Sequence, residues 1–554
     1  MEEAGVWPSA YAVRSDLRLV STGKTPVLFD KTGLPKFTIF ETGRYKTVGG
    51  PFYGNNLCYP CSGPVGLSQA LLRLVGIRKP GQVGYDEVLR ENQRIFFEDN
   101  LCEIDKFQAD LRSRVILVFP DRDPITLIQE WAECPHPKRL MRVRAFEDWQ
   151  AAGMPMVNGV RNDLVECKVK TCEFLASHKP RMVGDLGVTA AMMGGWMMDY
   201  FKNSMKAGYT ADCLEMFFMA TPDLASLKHA FTRILYDGSV YICIYYFSDD
   251  VICRIQCSDG CLISNADISA CDGSHGTPLM HSLEEFMTSC VPPAARRFVR
   301  LLFEQLECDF VVAPPKQRSE RVRVKTNGVA RLYSGSVLTT LMNNYAVNMA
   351  GVKLNLIMRD QLEKHGCLPT MVEAKGMLAA AFAGVGYILE VDDSPTMEPR
   401  RLQFLKHSPA FVDGEVVPYL NLGVLFRGFG TVDGDYGGKR VLGITERIRR
   451  QNAGVVMSRI HAGEHVISEA FRLAFPAKPG DTVVLSGSVH EVYDQRALDM
   501  KRIPSSELAL RYSLSEAEIE HVAEVVRQSC AGMLIYVPAV ARFLELDYGI
   551  SPFT

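Results

Sequence analysis

The segment that most constrains this chain is SVYICIYYFSDDVICRIQCSDGCLISNADISACDGSHG, residues 239–276. Residues 239–247 are β-branched and aromatic, which predicts a strand. Ser248-Asp249-Asp250 interrupts it, 251–257 predicts a second strand, Ser258-Asp259-Gly260 is a hairpin-turn signal, and 261–266 predicts a third. From Val251 to Cys257 is seven residues away from the Ser-Asp-Asp tip, and from Cys261 to Asp267 is seven back. Each leg runs about 23 Å at the usual rise of a strand residue. A meander of these strands therefore returns Asp267 to the side of Asp249 and Asp250.

Carboxylates gathered at one sheet end repel each other and need a counter-charge. Hard divalent cations supply it, since Mg²⁺ takes oxygen ligands and is held by one or two carboxylates together with substrate phosphates. The plainer alternative for Asp249-Asp250 by itself is an acidic hairpin turn. The matched return of Asp267 favours the metal site.

The rest of the chain sets the scale. Its 554 residues exceed what one core serves, so two to four subdomains are expected. The net charge of -3 argues against a protein coated in basic charge, but not against one with a basic channel. The 16 cysteines are scattered, which suits reduced thiols in a cytosolic setting. Cys58 and Cys61 have zinc-ligand spacing without a matching second pair, so free thiols are expected there. The opening residues MEEAGVWPSA carry two acids and no apolar core, unlike a signal peptide, and Glu2 stands where myristoylation needs glycine. No apolar run reaches the roughly 18–20 residues of a membrane span.

Residues 1–80, rich in Gly, Pro and aromatics, predict an extended layer. Helical periodicity dominates 85–235, with a strand-like interruption at 114–119 (RVILVF). Helices return at 280–310 and 336–350. The apolar stretch 376–389 predicts a buried helix running into a strand, and 385–430 is strand-rich. Two helices are expected near 516–530 and 537–546, the first with Ser515 and Glu518 at capping-box spacing. The pattern is mixed α+β, not a regular βαβ series.

Three motifs then resemble the viral RNA-dependent RNA polymerases. Asp267-Ile-Ser-Ala-Cys-Asp272 looks like the family's motif A, two aspartates five apart. SGSVLTTLMNN, from Ser334 to Asn344, looks like motif B, and YFSDD at 246–250 looks like motif C, with Ser248 where most members have glycine. The order here is C, A, B. That permuted palm is similar to the permutotetravirus-like polymerases and, more distantly, the birnavirus-like ones. CKVKTCEFLASHKPRMVGDLG (167–187) looks like motif F and RLQFLKHSPAF (401–411) like motif E. CSGPVG at 61–66 is a candidate for motif G.

The resemblance implies roles. Asp249, Asp250 and Asp267 would be the catalytic aspartates and hold two Mg²⁺ or Mn²⁺ ions. Asp272 and Asn343, the latter sharing a helix face with Thr339, would read the ribose 2′-hydroxyl. Ser334-Gly335 would form a flexible loop, with Gly335 supplying backbone freedom and Ser336 a helix cap. Lys170, Lys179 and Arg181, with Lys168 as a substitute for Lys170, would clamp the triphosphate. Phe404, Leu405 and Lys406 would grip the primer. Beyond the resemblance, Arg321, Arg323 and Lys325 alternate along a strand and are placed to touch template phosphate or triphosphate, and Lys439, Arg447 and Arg450 to lie along the product duplex; a solvated basic surface is the equal alternative for both stretches. No lysine lies between 376 and 400 to act as the family's motif D acid. His275 is expected to be a helix-start histidine.

The implied architecture is a right hand: N-terminal extension and fingers (1–235), a palm with a permuted antiparallel sheet (236–420, with a fingers insertion near 280–330), and a thumb with a C-terminal tail (421–554). The implied activity is RNA-directed RNA polymerisation, a nucleotidyl transfer for viral replication and transcription. The expected partners are RNA template and product, ribonucleoside triphosphates, and other viral replication or capsid proteins. The expected location is a replication complex in the host cytoplasm, and also the virion. A reverse transcriptase and a catalytically inactive RNA-binding palm are the alternatives.

Overall fold

The computed structural model describes residues 85–136, 138–169, 182–220, 223–312, 322–326, 329–428, 446, 449–450, 452–454, 463–476, 478–479, 501–529 and 537–549, with three short strands before residue 85. The chain is mixed α+β with antiparallel-rich sheets. The central sheet has six strands: β1 (Tyr209–Thr210), β2 (Leu214–Phe218), β3 (Ile242–Phe247), β4 (Asp250–Cys257), β5 (Gly260–Ser269) and β6 (Ile388–Asp392). Their spatial order is β6-β5-β4-β3-β2-β1, and every neighbouring pair is antiparallel except β2 with β3.

The expected meander is β3-β4-β5. Ser248 and Asp249 form a two-residue turn closed by the Phe247–Asp250 pair, and Ser258 and Asp259 form another closed by Cys257–Gly260. β5 runs three residues past the expected end, because its last residues pair with β6.

The sheet is buried on both faces, so its strands show continuous apolar runs. Ile244, Tyr246, Val251, Cys253 and Ile268 join a large core with the helix Thr339–His365 and the helices Tyr85–Asp99 and Leu101–Val118. Cys243, Tyr245, Ile252 and Ile263 point the other way, onto Leu227 and Phe231 of the helix Leu224–Tyr236 and onto Phe404.

A second sheet orders strands Arg18–Ser21, Val322–Lys325, Asp309–Val312, Leu164–Val169 and Met182–Asp185. Among the described residues beyond 405, the hairpin His407–Val412 with Glu415–Leu420 and five helices build a separate core. At its centre Arg511 donates to Asp547 at 2.9 Å; the same carboxylate accepts from Tyr512 and from the Gly423 amide. The capping box of Ser515 and Glu518 is formed.

One expected strand is a helix. Residues 114–118 end the helix Leu101–Val118. Ile104, Leu111 and Val115 repeat on one buried face, while Ile116, Leu117 and Val118 are exposed. The helical burial pattern outweighs the β-propensity of the short apolar run. Among the described residues no helix is long and apolar enough to cross a membrane.

Candidate active site

The sheet register brings the carboxylates together. Asp267 on β5 stands directly opposite Asp250 on β4, and opposite Glu390 on β6. Directly opposed residues project from the same face, so the three acids form a row across the sheet. Asp249 sits at the tip of the adjoining turn. Asp250 is half-buried, and its carboxyl is pushed up to about 6 by loss of solvent, with Asp249 adding repulsion and Lys406 opposing it. Glu390 was not anticipated; its strand joins the meander from more than a hundred residues away.

Two cavities meet at Asp267 and Glu390. The smaller, about 310 Å³, is lined by Asp249, Asp272, Ser334 and Arg331, the last being the basic residue among its described lining. The larger, about 680 Å³, is lined by Asp250, Arg401, Lys406 and Arg511 and opens between the central sheet and the C-terminal unit.

The tip is held from below by the long helix. Ser248 has φ +57, and Asp249 does not share the positive value, the pattern of a type II′ turn that usually takes glycine first. Two helix residues compensate: the Ser248 amide donates to Asn344 at 2.8 Å, and Asn343 donates to the Ser248 hydroxyl at 2.9 Å. Asn348 continues the series, accepting from Tyr246 and donating to the Asn344 carbonyl. The Asn343-Asn344 doublet was a visible signal that one face of this helix is committed to hydrogen bonding.

Asp272 lies in the short helix Cys271–Ser274, which follows Ala270 in a left-handed conformation. Its carboxylate accepts from Asn343 at 3.1 Å and from the Ser334 hydroxyl. Asp272, Asn343 and Ser334 therefore converge. Thr339 does not join them: its hydroxyl donates to the Tyr333 and Ser336 carbonyls and closes the loop at the helix start. Ser336 accepts from the Leu338 amide one turn before the helix rather than capping it. Gly335 is required for a different reason from the one expected. Its φ is not positive; instead a Cβ there would sit 1.9 Å from the Gly184 carbonyl.

His275 is not an ordinary helix-start residue. It is buried, donating through Nε2 to the Asn343 amide oxygen at 2.7 Å and accepting at Nδ1 from the Tyr387 hydroxyl at 2.7 Å. These roles follow from Asn343, whose nitrogen faces two oxygen acceptors and whose oxygen therefore faces His275. Burial holds the imidazole below its ordinary range.

The remaining basic groups divide. Lys168 is paired with Asp185 on the next strand, so it is committed within the second sheet. Lys170, Lys179 and Arg181 lie outside the described residues, as do Arg321, Lys439, Arg447, Cys61 and the 61–66 segment. Arg323 and Lys325 stand two apart on the strand Val322–Lys325, and Lys325 is exposed. Arg450 pairs with Glu446. Lys375 pairs with Asp393, just past the C-terminal end of β6.

Phe404 and Leu405 do not form the expected grip: both are core side chains, packed with the helix Leu224–Tyr236, and neither is available to a primer. Their apolar character, read as a grip, serves burial. Lys406 alone reaches the larger cavity. It is presented by a two-residue turn between Phe404 and His407, in which Leu405 and Lys406 both have positive φ. Asn265, two residues before Asp267, anchors this segment by donating to the Arg401 carbonyl and accepting from the Gln403 amide.

The donor set fits hard divalent cations. Asp249, Asp250, Asp267 and Glu390 offer only carboxylate oxygens at one rim. Among the described residues no three His, Cys, Asp or Glu side chains close on a common point by themselves. Mg²⁺ does not demand that, because it keeps several waters and completes its shell with substrate phosphates. No model of a known protein family matches the chain, and no curated protein does.

Proposed function

We propose that this protein is an RNA-directed RNA polymerase with a right-hand architecture and a permuted palm, divided near residues 235 and 420 into fingers, palm and thumb. The observation that carries the reading is the pairing of Asp250 with Asp267, beside a cavity lined by Asp272 and Ser334, with Asn343 bound to Asp272 from behind. A carboxylate rim and a polar, hydroxyl-reading cluster in adjoining spaces are what ribonucleotide addition needs.

In this reading Asp249, Asp250 and Asp267 hold two Mg²⁺ or Mn²⁺ ions, which when bound activate the primer 3′-hydroxyl and neutralise the leaving pyrophosphate. Asp272 and Asn343 face the sugar and exchange their mutual hydrogen bond for bonds to its 2′-hydroxyl. A deoxynucleotide would leave those groups unpaired. This favours ribonucleotides and argues against a reverse transcriptase. Arg331 lies on the cavity side where triphosphate charge would collect, joined by Lys170, Lys179 and Arg181 if the resemblance holds. Lys406 faces the product side. Viral replication, with an RNA template and other replication or capsid proteins as partners, belongs to the same proposal.

Primer extension on an RNA template tests it. Purified protein with ribonucleoside triphosphates and Mg²⁺ or Mn²⁺ should yield template-length product, and Asp249→Ala should yield none. If neither protein extends the primer, the reading fails and an inactive RNA-binding palm replaces it.

A further inference from the structure

We infer that His275, backed by Tyr387, is a positioning residue for sugar discrimination, fixing the oxygen end of the Asn343 carboxamide so that its N–H groups must face Ser248 and Asp272, the latter on the wall of the nucleotide cavity. The inference rests on the polymerase reading of the same site.

Residues three apart hold one amide from both ends. Asp272 accepts from the Asn343 nitrogen at 3.1 Å, and His275 donates to the Asn343 oxygen at 2.7 Å. The chain continues inward, where the Tyr387 hydroxyl donates to His275 Nδ1 at 2.7 Å. His275, Asn343 and Tyr387 are all buried, at 3%, 2% and 0% exposure. The frame behind them is rigid as well. Gln93, from the helix Tyr85–Asp99, accepts from the Gly276 amide at 2.9 Å and donates to the Val385 carbonyl at 3.0 Å. One side chain thus ties the residue after His275 to the strand approach that carries Tyr387.

The need for such a brace comes from partner exchange. With no nucleotide, both Asn343 N–H groups are occupied, by Asp272 and by Ser248, and Asp272 also receives Ser334. A 2′-hydroxyl has to break into this closed set, accepting from Asn343 and donating to Asp272. At that moment the nitrogen end loses a partner and the amide can swing or flip. Its oxygen end keeps its bond to His275, whose own ring is locked by Tyr387. The imidazole touches no substrate atom; it acts through Asn343.

The test is primer extension by the full chain with ribo- and deoxyribonucleoside triphosphates compared in parallel, for wild type, His275→Leu, His275→Gln and Tyr387→Phe. His275→Leu should lower the ribo/deoxy ratio of kcat/KM about tenfold, the worth of one buried hydrogen bond. The loss should appear as a raised KM for ribonucleotides, with deoxynucleotide KM little changed. His275→Gln carries an N–H donor and should restore most of the ratio; Tyr387→Phe should fall between. If His275→Leu is active with an unchanged ratio, the inference is wrong. It is equally wrong if the variants lose ribo- and deoxynucleotide addition in parallel. Should His275→Leu fail to fold, the other two decide: unchanged ratios in Tyr387→Phe together with loss in His275→Gln would overturn it. Failure of wild type to extend, matched by Asp249→Ala, would instead remove the polymerase reading itself.

Discussion

Asp250 and Asp267 face each other across adjacent antiparallel strands, one at the start of β4 and the other near the end of β5. Burial of its charge, with Asp249 adding repulsion against the opposing pull of Lys406, pushes the Asp250 carboxyl up to about 6. A carboxyl raised above its unfolded value of 3.8 binds its proton more tightly when folded. Its contribution is therefore fully present below about pH 4 and is lost as pH rises through 6. The metal-free protein should lose stability across that window by on the order of 1–2 kcal/mol, allowing for the solvent that reaches a half-buried group. Asp250→Asn should flatten the dependence and melt higher than wild type at pH 8. Added Mg²⁺ should raise the wild-type Tm and have little effect on the variant. Thermal melts from pH 4 to 8 with and without Mg²⁺ check this; a wild type that is no less stable at pH 7 than at pH 4 would count against it.

Glu390 extends the same row, opposite Asp267 on the other side. It lines both cavities and is exposed, so its charge is available to a cation. Glu390→Gln should raise the Mg²⁺ concentration for half-maximal activity several-fold while leaving kcat at saturating Mg²⁺ within about twofold, as expected for a screened charge rather than an obligatory ligand. A metal titration of primer extension separates the two; loss of kcat at every concentration would contradict it.

Ser248 shows two effects of similar size in opposition. Its left-handed backbone costs about 1–2 kcal/mol relative to glycine. Its hydroxyl accepts from Asn343, a bond worth about 0.5–1.5 kcal/mol. Ser248→Gly relieves the first and removes the second, so stability should change by less than about 1 kcal/mol and extension should persist. Ser248→Ala keeps the strain and loses the bond, and should be the worse of the pair in both chemical denaturation and activity.

Which features are legible in sequence follows from their range. The β3-β4-β5 meander is legible because its strands are contiguous and their turns carry Ser-Asp and Asp-Gly signals. Asp267 and Asp250 can be brought together by counting alone. Glu390 cannot, because its pairing with Asp267 is set by the packing of the helix Met371–Gly384 beneath the sheet rather than by spacing. His275 has the composition of an unremarkable loop residue; its role exists only once Asn343 arrives from a helix far along the chain. Phe404 and Leu405 mislead for the opposite reason: an apolar pair beside a lysine is equally consistent with a grip and with a core, and burial decides.

Gly335 makes the loop at the head of the long helix sensitive to a single methyl group. A Cβ there would overlap the Gly184 carbonyl, which is backbone and cannot rotate away. Gly335→Ala must separate the loop from the strand Met182–Asp185, and should cost about 1–3 kcal/mol as an overpacking change. It also shifts Ser334 off Asp272, so ribonucleotide KM should rise more than kcat falls. Unfolding curves and steady-state extension read the two effects separately. Wild-type stability would show that the strand yields freely and that the close approach is not a constraint.

Lys406 gives the sharpest separation of function from fold. It and Leu405 are consecutive non-glycine residues with positive φ, an arrangement held by the paired Phe404–His407 bridge on one side and by Asn265 on the other. Left-handed backbone at a non-glycine residue costs about 1–2 kcal/mol. The return is a cation at the rim of the larger cavity, near Asp250 and over the Tyr548 ring at 5.0 Å. Lys406→Gly should therefore raise stability by about 1 kcal/mol while weakening RNA. A duplex ending at the site should bind less tightly, and the slope of log affinity against log salt should fall by about one, the signature of one lost phosphate contact. Lys406→Ala should lose the same affinity without the gain in stability, since it keeps the backbone strain. Binding titrations at several salt concentrations, set beside denaturation of the same proteins, resolve the two. If Lys406→Gly and Lys406→Ala are equally stable, strain is not stored at this turn; if their salt slopes match wild type, the lysine does not meet phosphate.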